Sequence, residues 1–249
     1  MIRIAAVGDV HVGTDMPGAI RERFASVADR ADVLLIAGDL TKTGRPEEAE
    51  VLAAELAELE LPVACVLGNH DHHSDAEIEV ARIVREAGVE VLEGDATVIR
   101  TAGGTLGVAG VKGFGGGFTG SSGSEFGERE MKAFIHHSKD RADALAAALG
   151  ELDADLTVAL MHYSPVRETL EGEPPEIFPF LGSYLLAEAI DTAGADLALH
   201  GHAHRGTEEG VTPGGVLVRN VASTILATGY AIYAFETAAD RGSLARSSA

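Results

Sequence analysis

Cysteine is all but missing: Cys65 stands alone in 249 residues, so no intrachain disulfide can form. Its place between Ala64 and Val66 reads as a small buried strand residue rather than a reactive thiol. Basic side chains are scarce as well, 19 Lys and Arg against 39 Asp and Glu, for a net charge of −20. With no basic cluster, such a surface repels polyanions, so long DNA or RNA is not expected as a partner, whereas small phosphate esters remain open. No apolar run approaches the roughly 18 residues of a membrane span. Residues 1–7 form only a short apolar stretch that leads into Gly8-Asp9, which is a strand rather than a signal peptide. A soluble, cytoplasmic protein is expected. Low-complexity tracts and repeat periods are also absent, and the length suits one well-buried α/β domain. Its expected extent is residues 1–238, with 239–249 as a loose tail.

What is present is an alternation of strand and helix. Apolar runs at 2–7, 33–37 and 63–67 are each followed by a helical pattern, at 17–30, 46–59 and 75–87. In the second of these helices Val51, Leu52, Leu56 and Leu59 recur at helical spacing, and Pro46 suits a first turn. These are crossover units of a parallel sheet. Shorter strands are expected at 89–92, 97–99 and 105–109, a long helix at 128–149, a strand at 156–161, a helix at 184–193, and closing strands at 216–219 and 230–235. Residues 113–127 are rich in glycine and serine and match neither a dinucleotide fingerprint nor a P-loop. A flexible surface loop is expected there, with a substrate lid as the alternative. Residues 164–182 contain Pro165, Pro174, Pro175 and Pro179 and cannot form one helix. That segment follows His162 and is a candidate wall of the site.

Five polar motifs sit where strands should end: Asp9-Val10-His11, Gly38-Asp39, Gly68-Asn69-His70-Asp71, His162, and Gly201-His202-Ala203-His204. Parallel strands present their carboxyl ends along one edge of a sheet, so the five motifs converge there. The donors are imidazole, carboxylate and amide, a set that suits manganese, iron, nickel or zinc and contains no thiolate.

In this order the motifs resemble those of the calcineurin-like metallophosphoesterase superfamily, over residues 2 to about 205. The resemblance implies a four-layer α/β sandwich of two mixed β-sheets flanked by helices, with two divalent metal ions at one edge. It further implies that Asp9, His11 and His204 hold one ion, that Asn69, His162 and His202 hold the other, and that Asp39 bridges them. By the same analogy His70 protonates the leaving oxygen or holds transition-state charge, and a hydroxide shared by the ions attacks in line. Two divalent ions against two carboxylates and a hydroxide leave a net positive spot that draws phosphate into an acidic protein.

Two departures narrow the resemblance. Many related phosphodiesterases carry an acidic residue after Gly-Asp that orients the histidine, but here Leu40-Thr41-Lys42 follows, which makes Asp71 a candidate orienting group. Protein phosphatases of the superfamily carry Gly-Asp-x-x-Asp-Arg-Gly and Gly-Asn-His-Glu, so protein phosphatase activity is not expected. The best match is to small phosphodiesterases with Gly-Asn-His-Asp. A phosphomonoesterase and a catalytically silent metal-binding scaffold are the alternatives. Of the other histidines, His72 and His73 are expected to be exposed or to face the pocket, His136 and His137 solvated or packed on the long helix, and His200 packed in the core. Tyr163 is placed to contact substrate.

Overall fold

A computed structural model describes residues 1–236; the expected tail and the last two residues of the expected domain lie outside them. β1 (Ile2–Val7), β2 (Val33–Ala37), β3 (Val63–Val66) and β4 (Glu90–Val91) are connected by α1 (Ala19–Phe24), α2 (Val27–Arg30), α3 (Pro46–Leu56) and α4 (Glu77–Glu86). A hairpin of β5 (Asp95–Thr101) and β6 (Gly104–Val111) follows, then the small β7 (Gly117–Phe118) and β8 (Ser121–Ser122), and the long α5 (Arg129–Gly150). The chain continues through β9 (Leu156–Met161), α6 (Phe178–Leu181), α7 (Tyr184–Ala193), β10 (Leu197–His200), β11 (Glu209–Val211), β12 (Leu217–Asn220) and β13 (Ala231–Phe235).

The strands form two large sheets, ordered β13-β1-β2-β3-β4 and β11-β12-β10-β9-β6-β5. β1 to β4 run parallel, as do β6, β9, β10 and β12, while β13, β11 and β5 are antiparallel at the edges. Both sheets are therefore mixed. The period of two along each strand assigns the layers. In β1, Ile2, Ile4 and Ala6 face the second sheet, where Leu106, Val108, Val158 and Leu160 meet them. Ala5 and Val7 point the other way, onto Phe24, Leu52 and Val84 of the first helical layer. On the far side, Ala159 and Met161 pack against Leu145 of α5 and Ile190 of α7. The result is a four-layer sandwich, α/β/β/α, with parallel strands central in each sheet.

Some expected elements differ. The helix expected at 17–30 is broken into α1 and α2, because Ser26 leaves the helical region with φ −112° and ψ 11°. β11 has no counterpart in the sequence reading; its three residues include Gly210, and Glu209 and Val211 are exposed, so it carries no apolar alternation. Residues 113–127 are not simply a flexible surface loop. Gly115 to Phe118 are buried, Gly116 donates to the Pro179 carbonyl at 2.7 Å, Gly117 donates to that of Gly182 at 2.9 Å, and only the half from Thr119 on is largely exposed. Cys65 is fully buried in β3, and burial pushes its thiol pKa up. Among the described residues no helix is long and apolar enough to cross a membrane.

Candidate metal centre

All five motifs leave the carboxyl end of a parallel strand: β1, β2, β3, β9 and β10. Backbone hydrogen bonds then lock the loops together. Asp9 N–H donates to Gly38 O at 2.9 Å, His11 N–H to Asp39 O at 3.0 Å, and Gly201 N–H to His162 O at 3.2 Å. Across the two sheets, His202 N–H donates to the Asp9 carboxylate at 3.0 Å. The approach is close enough to demand glycine beside the functional residues. A Cβ on Gly68 would collide with the Asp39 carboxylate and amide, and one on Gly201 with the Asp9 carboxylate. Among the described residues, five non-glycine positions have positive φ, and four of them are Asp9, His11, Asp39 and His202. Left-handed backbone at such residues costs about 1–3 kcal/mol each and concentrates at functional sites.

The side chains gather around Asp39. Ligand atoms of Asp9, His11, Asp39 and His204 all lie within 4.8 Å of one another, a grouping that could hold a metal ion. His204 Nε2 is 2.9 Å from Asp9 Oδ1, and His11 Nε2 is 3.7 Å from Asp39 Oδ2. On the other side of Asp39, His162 Nε2 lies 3.3 Å from its Oδ1 and 2.9 Å from Asn69 Oδ1. The His202 ring stands 4.7 Å from that of His162. The sequence-predicted residues are thus brought together in two adjoining groups that share one carboxylate.

Tautomers follow from the hydrogen bonds. His162 Nδ1 faces the Ala37 carbonyl at 3.0 Å and must carry the proton there, which leaves Nε2 a lone pair. His162 Nε2, Asn69 Oδ1 and Asp39 Oδ1 then converge as three acceptors, of which only Asp39 Oδ1 takes a backbone proton, from His70 N–H at 2.9 Å, an arrangement that a cation satisfies. Both ring nitrogens of His11 are buried without any partner, which is costly unless a metal takes one of them. Burial also lowers the pKa of His11 and brings that of His202 down to about 3, so both rings are neutral at physiological pH. The hydrogen bond to Asp9 raises that of His204.

His70 sits at the edge of this cluster, its Nε2 3.8 Å from Asp39 Oδ2 and its ring 4.5 Å from that of His11. Its Nδ1 donates to the Lys42 carbonyl at 2.8 Å, so the orienting group is a backbone oxygen. Asp71 does not play that part. Its buried carboxylate accepts from Thr41 N–H (2.8 Å), Thr41 Oγ1 (2.6 Å), Leu40 N–H (3.1 Å) and Gly68 N–H (2.8 Å), stapling the loop after β2 to the loop after β3.

A family model described as calcineurin-like phosphoesterase matches residues 2–206. The chain belongs to that family. Solved structures agree on the fold. Phosphopantetheinyl hydrolase from Mycobacterium tuberculosis superposes with a TM-score of 0.67 at 18 % identity, covering 92 % of this chain and 95 % of that one. TT1561 of Thermus thermophilus gives 0.56 at 20 % identity, with 88 % of each chain covered. A putative 5′-nucleotidase from Staphylococcus aureus gives 0.55 at 16 % identity, covering 88 % of this chain and 48 % of that one. No curated protein matches the sequence significantly.

Within the family fold, the remaining histidines divide clearly. His136 is exposed and bonded to Glu125 at 2.8 Å. His200 is fully buried, with Nδ1 donating to Gly201 O at 2.7 Å and Nε2 accepting from Thr169 Oγ1 at 2.8 Å. Burial lowers its pKa to about 4 from the ordinary 6.5. Between those values the unfolded chain binds the extra proton, so the stability this neutral ring contributes is complete above pH 6.5 and is lost as pH falls toward 4. Replacing His200 with Gln should flatten that limb, removing on the order of 3 kcal/mol of pH dependence in urea unfolding of the metal-free chain. A limb of unchanged steepness would show that His200 does not titrate there.

His72 and His137 instead line a cleft next to Asn69, together with Glu93, Lys112, Phe114, Arg141 and Tyr163. His72 is therefore not simply exposed, and the His137 ring packs edge-on to Phe114 at 4.6 Å. Tyr163 is buried with its ring 4.4 Å from that of His202. Residues 164–182 reach the site through the Phe180 carbonyl, 3.4 Å from His202 Nε2. Lys112 and Arg141 escaped sequence reasoning. Lys112 directly follows β6, a carboxyl-edge position that could have flagged it, but Arg141 lies within α5 with no local signal.

Proposed function

We propose that this chain is a dinuclear-metal-dependent phosphohydrolase acting on small phosphate esters, with diesters preferred. The observation that carries the reading is the convergence of imidazole, amide and carboxylate groups on both sides of the buried Asp39 carboxylate, with both ring nitrogens of His11 left without a hydrogen bond. Asp9, His11 and His204 would hold one ion, Asn69, His162 and His202 the other, with Asp39 between. Bound there, two divalent ions supply an activated water at neutral pH and neutralise charge on the phosphoryl oxygens. The chain's own groups do the rest. His70, with Nδ1–H fixed on Lys42 O, keeps Nε2 free to carry a proton to the leaving oxygen. Asp71 holds the Asp39 and Asn69 loops in register for that transfer.

Preference for a diester is supported by two clefts flanking the cluster. One, of about 640 Å³, runs past His11, Arg23, Lys42 and His70; the other, of about 420 Å³, runs past Asn69 and Lys112. A phosphate with two substituents fills both, whereas a monoester leaves one empty.

The test is turnover of bis(p-nitrophenyl) phosphate and p-nitrophenyl phosphate by metal-stripped protein, with and without manganese. Manganese-dependent release from the diester at the higher kcat/KM is expected. Release from the monoester alone would replace the diesterase reading with a phosphatase, and failure to bind two ions per chain would remove the hydrolase reading altogether.

A further inference from the structure

We propose that the cleft beside Asn69 is a subsite for a second phosphate-class anion on the substrate's far arm, held by Lys112 and Arg141. This rests on the phosphohydrolase reading and narrows its substrate to esters that carry another phosphate. In a chain with a net charge of −20, two cations from distant elements face one small cleft adjoining the metal centre. Lys112 Nζ stands 5.0 Å from the Phe114 ring centroid and 5.3 Å from that of Tyr163, so aromatic faces replace much of its water. Burial lowers its pKa, which the nearby Glu93 carboxylate only partly offsets.

Arg141 Nε is buried and has no partner, and the same is true of His72 Nε2. The carboxylate in the cleft, Glu93, is already bonded, accepting from Leu67 N–H at 3.1 Å. Among the described residues neither the Lys112 nor the Arg141 side chain forms an ion pair. Glu93 thus acts on both cations through its field rather than through a contact ion pair. Against the one Glu93 carboxylate the cleft sets two cationic groups, a planar guanidinium fork and an ammonium, which together match a dianion with three free oxygens better than a single carboxylate. About 420 Å³ accommodates one phosphate and a short linker along Phe114 and Tyr163 to the reacting phosphorus.

The first test is calorimetric titration of inorganic pyrophosphate into metal-stripped protein, which reads the subsite without turnover. Arg141→Gln and Lys112→Gln should each weaken binding by about tenfold or more. Arg141→Gln, at a half-buried position, guards against Lys112→Gln failing to fold. Asp39→Ala should leave that binding in place while ending hydrolysis, so the two readings fail separately. The second test compares manganese-loaded protein on p-nitrophenyl ethyl phosphate and its 2-phosphoethyl analogue. The phosphorylated arm should be favoured in kcat/KM, chiefly through KM, and Arg141→Gln should erase most of the difference. Pyrophosphate binding indifferent to both substitutions, or no preference between the two diesters, would overturn the subsite. Binding that Arg141→Gln weakens, in a chain that hydrolyses neither diester, would sustain the anion site and remove the hydrolase reading.

Discussion

Asp39→Asn is expected to cut metal-dependent phosphoester turnover by on the order of 10³-fold or more, since a metal centre supplies several kcal/mol of transition-state stabilisation. The substitution is nearly isosteric, and its remaining oxygen can still accept the His70 N–H that Asp39 Oδ1 takes at 2.9 Å. What disappears is the charge and the second oxygen, at the one carboxylate that touches both groups of donors. His162 Nε2 at 3.3 Å and His11 Nε2 at 3.7 Å approach opposite oxygens of Asp39, so an amide cannot serve both sides. Without metal, however, Asp39 is a burden: its carboxylate is 1 % exposed and shares a 4.8 Å cluster with that of Asp9. The metal-free variant should therefore melt at or above the temperature of the metal-free wild type, while its stabilisation by manganese shrinks. Metal content per chain, melting with and without manganese, and turnover read these effects separately. A variant that keeps two ions and full turnover would place Asp39 outside the centre.

Asp71→Asn is expected to destabilise the chain by about 3–5 kcal/mol, through two charge-assisted hydrogen bonds lost in a buried site. Each oxygen of Asp71 accepts from two donors, Thr41 N–H and Oγ1 on one side, Leu40 N–H and Gly68 N–H on the other. Turning either oxygen into an NH₂ group sets donor against donor, whichever way the amide is flipped. The denaturation midpoint in urea should fall with little change in slope. Activity should fall too, because the loops that carry Asp39 and Asn69 lose their shared fastening. Loss of activity with an unchanged midpoint would instead make Asp71 a group that acts on the chemistry.

The sandwich and the positions of its polar loops were legible because two signals coincide. Apolar runs such as 2–7 and 156–161 end directly in glycine or a polar residue, and burial on both faces of a parallel strand gives that pattern its sharpness. What adjacency in sequence does not convey is direction. Asp71 follows His70, yet both lie in a 3₁₀ turn, where successive side chains diverge by a third of a revolution, so neighbours face different partners. The same limit hid Lys42, whose contribution is a carbonyl oxygen and leaves no trace in residue type. It also hid Arg141, which meets Lys112 only because α5 packs across β6. The break between α1 and α2 went unseen because Ala25 and Ser26 carry no strong stop signal.

The bond from His202 N–H to Asp9 spans 193 residues of chain and joins the two sheets at their edge. A cation gripped from both loops would act as a removable cross-link in a chain whose single cysteine denies it a covalent one. Unlike a disulfide it is lost on unfolding, so its stabilisation grows with the free-ion concentration relative to the dissociation constant. Loading would then raise the free energy of unfolding as well as enable hydrolysis.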